Sequence, residues 1–185
     1  MTSERLRGAA LPKRFRRDQS GATAVEFGFV AMPFFALIFA IVEISLTFFT
    51  NQVLETAVQD AARQIMTGQS RSNNSSTAAN NTQMANFKSL ICAKINSAFI
   101  DCTKLQVDVE TYTTFAAANT GEPIAGGKIA WTPGYQTGNP GDIVVVRAIY
   151  PMPTYTNFYG VGLANLSDGT RLLMATAVFR TEPFK

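Results

Sequence analysis

The sequence predicts an α+β protein: a long N-terminal helix (transmembrane, then amphipathic) followed by a small domain with a short helix and an antiparallel sheet. Three observations carry this. Phe27 to Val42 holds no charged residue, and the apolar character resumes after Glu43 and runs to Phe49. Beyond it, apolar residues recur at three- and four-residue spacing as far as Gly68, the signature of an amphipathic helix. The C-terminal half switches to alternating or continuous apolar runs parted by Gly- and Pro-rich stretches, which is how strands read. Helix, helix, then separated strands is the order of an α+β fold.

Residues 1–21 form a basic leader, of which 1–19 read as disordered. Arg5, Arg7, Lys13, Arg14, Arg16 and Arg17 face only Glu4 and Asp18. Short Lys/Arg-rich flanks resist translocation, so the N-terminus is expected in the cytoplasm and everything past residue 50 outside it. Without the leader the formal charge goes from +3 to −1, since six of sixteen Lys/Arg and two of thirteen Asp/Glu leave with it. The basicity therefore serves topology. It offers no basic face to nucleic acid, which is not an expected partner.

Residues 22–49 are long enough to span a bilayer, which takes roughly 17–25 predominantly apolar residues. Pro33 lies within, lacks a backbone donor and clashes with the carbonyl four residues back, so a kink is expected there. Glu26 sits among apolar neighbours at the near end. It is either a carboxylate solvated at headgroup level or a charge kept within the membrane because it pairs. Glu43 lies near the far interface, where it either reaches water or pairs with a charge of another subunit.

Residues 50–68 continue the helix through a stripe of Val53, Leu54, Ala57, Ala61 and Ile65, ending at Gly68, a fitting C-terminal stop. Ala22 to Thr67 would make one helix about 70 Å long. Residues 69–83 are polar, low in complexity and without periodicity, and read as a flexible connection. The remaining domain, 84–185, opens with Met84, Phe87, Leu90, Ile91, Ile95 and Phe99 at the spacing of a short helix. Cys92 lies on it and Cys102 follows in a turn; with nine residues between them on the exported side, they either close a structural disulfide or stand as two buried thiols. The bridge is the reading preferred.

Lys104 to Tyr112 alternates Leu105, Val107 and Val109 with Gln106, Asp108 and Glu110, a half-buried strand with a solvated acidic face. Residues 115–141 carry glycines and prolines and read as loop, with Trp131 on a short strand. Asp142 to Tyr150 is continuously apolar around Arg147 and reads as the central strand, ended by Pro151 and Pro153. Residues 154–169 connect to Arg171–Arg180, which reads as strand or short helix, the strand preferred.

Gly21, four small or apolar residues, then Glu26-Phe27 resembles the G-x-x-x-x-E-[YF] processing site of tight-adherence (Tad, or Flp) pilins and pseudopilins. Here the small residues Gly21 and Ala22 precede the apolar run, whereas a secretory signal has its cleavage site after it. Ala57-x-x-x-Ala61-Ala62-Arg63 with Gly68 resembles the pattern after the span in TadE-like proteins. Gly141-Asp142 before three valines with Tyr150-Pro151 beyond, and a closing Arg180-Thr181-Glu182-Pro183-Phe184, are similar to the same family. The resemblance implies a membrane prepilin peptidase that cuts between Gly21 and Ala22 from the cytoplasmic side. It implies that Glu26, with Phe27 beside it in the motif, neutralises a neighbouring subunit's new N-terminus during assembly. It also implies a bacterial inner-membrane protein with a periplasmic C-terminal domain, partnered by the peptidase, other pilins and pseudopilins, assembly proteins and the lipid bilayer, and entering a surface pilus or serving its base.

Nothing in the sequence reads as catalytic. There is no histidine, the commonest general base and metal ligand; no serine sits in a nucleophile elbow; no phosphate loop or dinucleotide fingerprint is complete. No metal, cofactor or small-molecule substrate is expected. The leading expectation is a minor pilin or pseudopilin of a tight-adherence pilus. Its rival is an uncleaved single-span protein, as in larger TadG-like relatives, whose periplasmic domain binds a partner.

Overall fold

The structure, a computed structural model, describes residues 21–69, 77–95, 100–158 and 161–183. The basic leader 1–20, residues 70–76 of the proposed connection and Phe99 of the proposed helical stripe lie outside the described residues. Contacts divide the chain between Val42 and Glu43. The first unit is the apolar half of helix α1, Ala22–Met66. Its large side chains all stand exposed, Phe29 at 78% and Met32 at 77%. The backbone stays α-helical through Pro33.

The second unit is a three-layer arrangement built on a central sheet. Its strands are β1 (Gln106–Tyr112), β4 (Ile143–Pro153) and β7 (Thr170–Arg180), in the antiparallel order β1-β4-β7. Period-two alternation sends Val107 and Val109 of β1, Val144, Val146, Ala148 and Tyr150 of β4, and Leu173 and Ala175 of β7 to one face. There they meet Leu54, Ala57, Val58, Ala61, Ala62 and Ile65 of α1 and Phe87 and Ile91 of α2, Thr77–Lys94. The stripe expected on the helix is thus buried, except that Val53 is only half-buried and Val58 and Ala62 widen it. Helix α2 starts at Thr77 rather than Met84, inside the stretch read as a connection.

Strand β4 runs past Tyr150 through Pro151 and Pro153, which pair with Leu172 and Thr170. The expected stop at the prolines is corrected, and the ladder shows why. The Leu172 amide donates away from β4, to Asn165 Oδ1 at 2.7 Å, so Pro151 opposite it also turns its nitrogen away from β7. On that other side β1 already ended at the Gln106–Ile149 pair. A missing N–H there costs no ladder bond.

The opposite face of the sheet is covered by the segment between β1 and β4. It carries a 3₁₀ turn at Phe115–Ala117 and the hairpin β2 (Ile124–Ala125) to β3 (Lys128–Ile129). The hairpin turns on Gly126 and Gly127, both at positive φ, as a tight two-residue turn requires. Ile124, Ile129 and Trp131 pack beside Ile149, Leu166 and Leu172 in a second small core. Trp131 packs there without lying on a strand. A further short hairpin pairs β5 (Asn157–Phe158) with β6 (Val161–Gly162).

Candidate functional site

Gly21 is the residue immediately before α1, and its carbonyl accepts the Val25 amide at 3.2 Å. Gly21, Ala22, Glu26 and Phe27 are all exposed. A Cβ added at Gly21 would meet nothing within 4 Å among the described residues, so a glycine here answers no packing constraint from them. Glu26 is four residues past Ala22, one turn along the same face. From Ala22 the helix is long and apolar enough to cross a membrane. Pro33 leaves the Phe29 carbonyl without its usual amide, the cost a proline brings to any helix interior.

At the other end of the apolar run, Glu43 does not stand in water. It is 5% exposed. Its Oε1 accepts the Tyr155 amide at 2.9 Å and its Oε2 the Thr156 amide at 2.7 Å, and the Thr156 hydroxyl also donates to Oε2. A buried carboxylate needs such donors to offset lost hydration. Glu43 therefore ties the loop after β4 to the helix, one turn before Thr47 and two before the buried Thr50.

A family model described as TadE, TadE-like protein, matches residues 21–63. This segment is TadE-like. The match begins at Gly21 and ends at Arg63, covering the exposed apolar half of α1 and most of its packed half. No curated protein and no solved structure gave a match. The TadE-like segment holds Gly21, Ala22, Glu26, Phe27, Pro33 and Glu43, spaced along one helix rather than gathered in a pocket.

The domain behind the TadE-like segment holds a polar cluster that its sequence conceals. Asp108 is wholly buried, not on a solvated face. The Arg147 Nε and Nη2 donate to its Oδ2 at 3.1 and 2.7 Å, and the Gly134 amide donates to its Oδ1 at 2.7 Å. Arg147 Nη2 also lies 3.1 Å from Glu110, and the guanidinium stacks 5.3 Å from the centre of the Trp131 ring. Asp108 and Arg147 are directly opposite in the β1–β4 register, on the face that the β1–β4 segment covers. The signal for burial was there in the sequence: a lone arginine inside a strand apolar on both faces needs an acid across the ladder. Tyr112 donates to Glu110 Oε2 at 2.5 Å. Partial burial, and then this bond to a carboxylate, hold the phenol's pKa above 10.0.

Cys92 and Cys102 are joined in a disulfide, Cα atoms 6.0 Å apart. It ties the end of α2 to the turn before β1. Among the described residues no three His, Cys, Asp or Glu side chains gather as a metal site.

Proposed function

We propose that this chain is a minor pilin or pseudopilin that helps assemble a tight-adherence pilus after a prepilin peptidase cuts between Gly21 and Ala22. The observation that carries the reading is the TadE-like match that starts at Gly21, on a helix that exposes nothing but apolar and small side chains beside Glu26 until Glu43. The leader stays cytoplasmic by its charge. The span waits in the inner membrane, and the disulfide-bonded domain stands in the oxidising periplasm, where such bridges persist. Cutting frees an ammonium at Ala22. Glu26, one turn away, neutralises that charge in its own or a neighbouring subunit while the helix sits in lipid, where a bare charge is costly. Beyond the membrane the subunit offers the folded domain to other pilins and to assembly proteins. Its work is docking, not catalysis.

Two variants test this in the native host. Gly21→Phe should abolish cutting and with it assembly. Glu26→Ala should leave cutting intact yet reduce surface pili. Normal pili from Glu26→Ala would defeat the pairing role. Full function from an uncut Gly21→Phe chain would favour a single-span protein whose periplasmic domain binds a partner.

A further inference from the structure

The loop after β4 is fixed at one level of α1. Both Glu43 oxygens are spent on the amides of Tyr155 and Thr156. Glu43 lies about 32 Å along the helix axis from Ala22, against roughly 30 Å of bilayer hydrocarbon. The clamp therefore sets this loop where a span beginning at Ala22 leaves the acyl chains. Tyr155 is 77% exposed there, while its own backbone is held. About 8–9 Å further along the helix, Phe48 is 69% and Phe49 52% exposed, and the first polar side chains beyond them are Thr50, Asn51 and Gln52. Tyrosine and other amphipathic aromatics collect at headgroup level, where the ring is dehydrated and the hydroxyl stays wet.

We propose that the C-terminal domain is seated on the outer face of the bilayer, with Tyr155, Phe48 and Phe49 inserted among the lipid headgroups and Glu43 as the clamp that aims Tyr155 at them. Continuity favours lipid over a protein partner: Phe48 and Phe49 extend the apolar run of the span itself, with no charge between Glu43 and Glu55. The surface is aromatic more than electrostatic. In the hollow of about 240 Å³ beside Ile44, Thr47 and Phe48, Arg171 is accompanied by Glu122, so seating is expected to resist salt. It would fix how far the domain stands from the membrane before any assembly step. The inference rests on the reading of residues 22–49 as a span.

Three tryptophan probes in a Trp131→Phe background separate the two. Phe39→Trp reports the span and Tyr155→Trp the contact. Phe115→Trp reports the far end of the domain, since Phe115 follows Tyr112, which pairs with Ile143 at the start of β4. Ten residue steps along that strand are about 33 Å. The full chain is reconstituted in phosphatidylcholine vesicles brominated at shallow or deep acyl positions. Phe39→Trp should be quenched most by deep bromines. Tyr155→Trp should be blue-shifted and lose roughly half its emission to shallow ones, as an interfacial aromatic does, and Phe115→Trp should be unaffected. Quenched Phe39→Trp with unquenched Tyr155→Trp overturns the seating alone, and a blue shift without quenching would hand the surface to a protein partner. Unquenched Phe39→Trp overturns the span and the seating together. Should Trp131→Phe unfold the domain, a nitroxide on Tyr155→Cys gives the same reading. Collisions dominated by oxygen over a water-soluble nickel chelate support the seating, and the reverse refutes it.

Discussion

Replacing Asp108 with alanine should destabilise the domain by about 3 kcal/mol, near the lower end of the roughly 3–5 kcal/mol lost when one partner of a buried ion pair is removed. The lower end follows from Glu110. It lies 3.1 Å from Arg147 Nη2 and still holds the guanidinium when Asp108 is gone. Arg147→Leu leaves Asp108, among the described residues, with the Gly134 amide at 2.7 Å, in a site with no exposure to water, and should fall at the upper end, about 5 kcal/mol. Asp108→Leu with Arg147→Met removes both charges together and should lie close to the parent, because apolar groups of similar volume often replace a buried pair without loss. The assay is urea unfolding of the full chain in a mild detergent, followed by Trp131. It is the only tryptophan, and it stacks on the guanidinium concerned. A cost below about 1 kcal/mol for Asp108→Ala, the scale of an exposed pair, would refute the burial argued for this face of the sheet.

Reduction of Cys92–Cys102, or Cys92→Ser, should cost about 2–4 kcal/mol, read as a fall in the urea midpoint of the full chain with and without reductant. Stability should also fall at both ends of the pH scale. Asp101 and Asp168 have carboxyls held below 3.8 by the hydroxyls and then the amides of Thr103 and Thr170. Their contribution is complete above that value and is lost as pH drops through the depressed folded-state pKa. Tyr112 behaves oppositely. Its phenol is raised above 10.0, first by burial, so its contribution is full below that value and is lost as pH climbs through the raised one. Urea midpoints between about pH 2 and pH 11 check both signs, and Asp101→Asn with Asp168→Asn should flatten the acid limb. Gly138→Ala should cost about 1–3 kcal/mol, because Gly138 has φ +67° and an added Cβ would meet Thr111 Cγ2 at 2.7 Å; a thermal melt measures it.

Local patterns made much of this fold legible. A charge-free run and a three-four spacing suffice to mark α1, and period two suffices for β1, because both depend on neighbours a few residues away. What escaped were partners far along the chain. Glu43 reads as an acid in search of water until Tyr155 and Thr156, more than a hundred residues later, supply its donors. Asp108 alternates with valines as a solvent-facing acid would, and only the segment that folds over that face, bringing Gly134 and Trp131, makes it buried. Pro151 reads as a strand end because the sequence does not say that β1 has already stopped on the side its nitrogen faces. Gly21, Ala22, Glu26 and Phe27, the residues proposed for processing and assembly, stand out in the sequence as a motif, through order and spacing rather than through contacts within one chain.

The account turns on the bond between Gly21 and Ala22. Intact mass with N-terminal sequencing of the protein extracted from its own host's membranes tests it directly. A mature chain that begins at Ala22 is the result predicted, with the six basic residues of the leader gone. A chain that keeps residues 1–21 in cells whose prepilin peptidase is active would contradict the assembly reading and leave a single-span protein with a periplasmic domain.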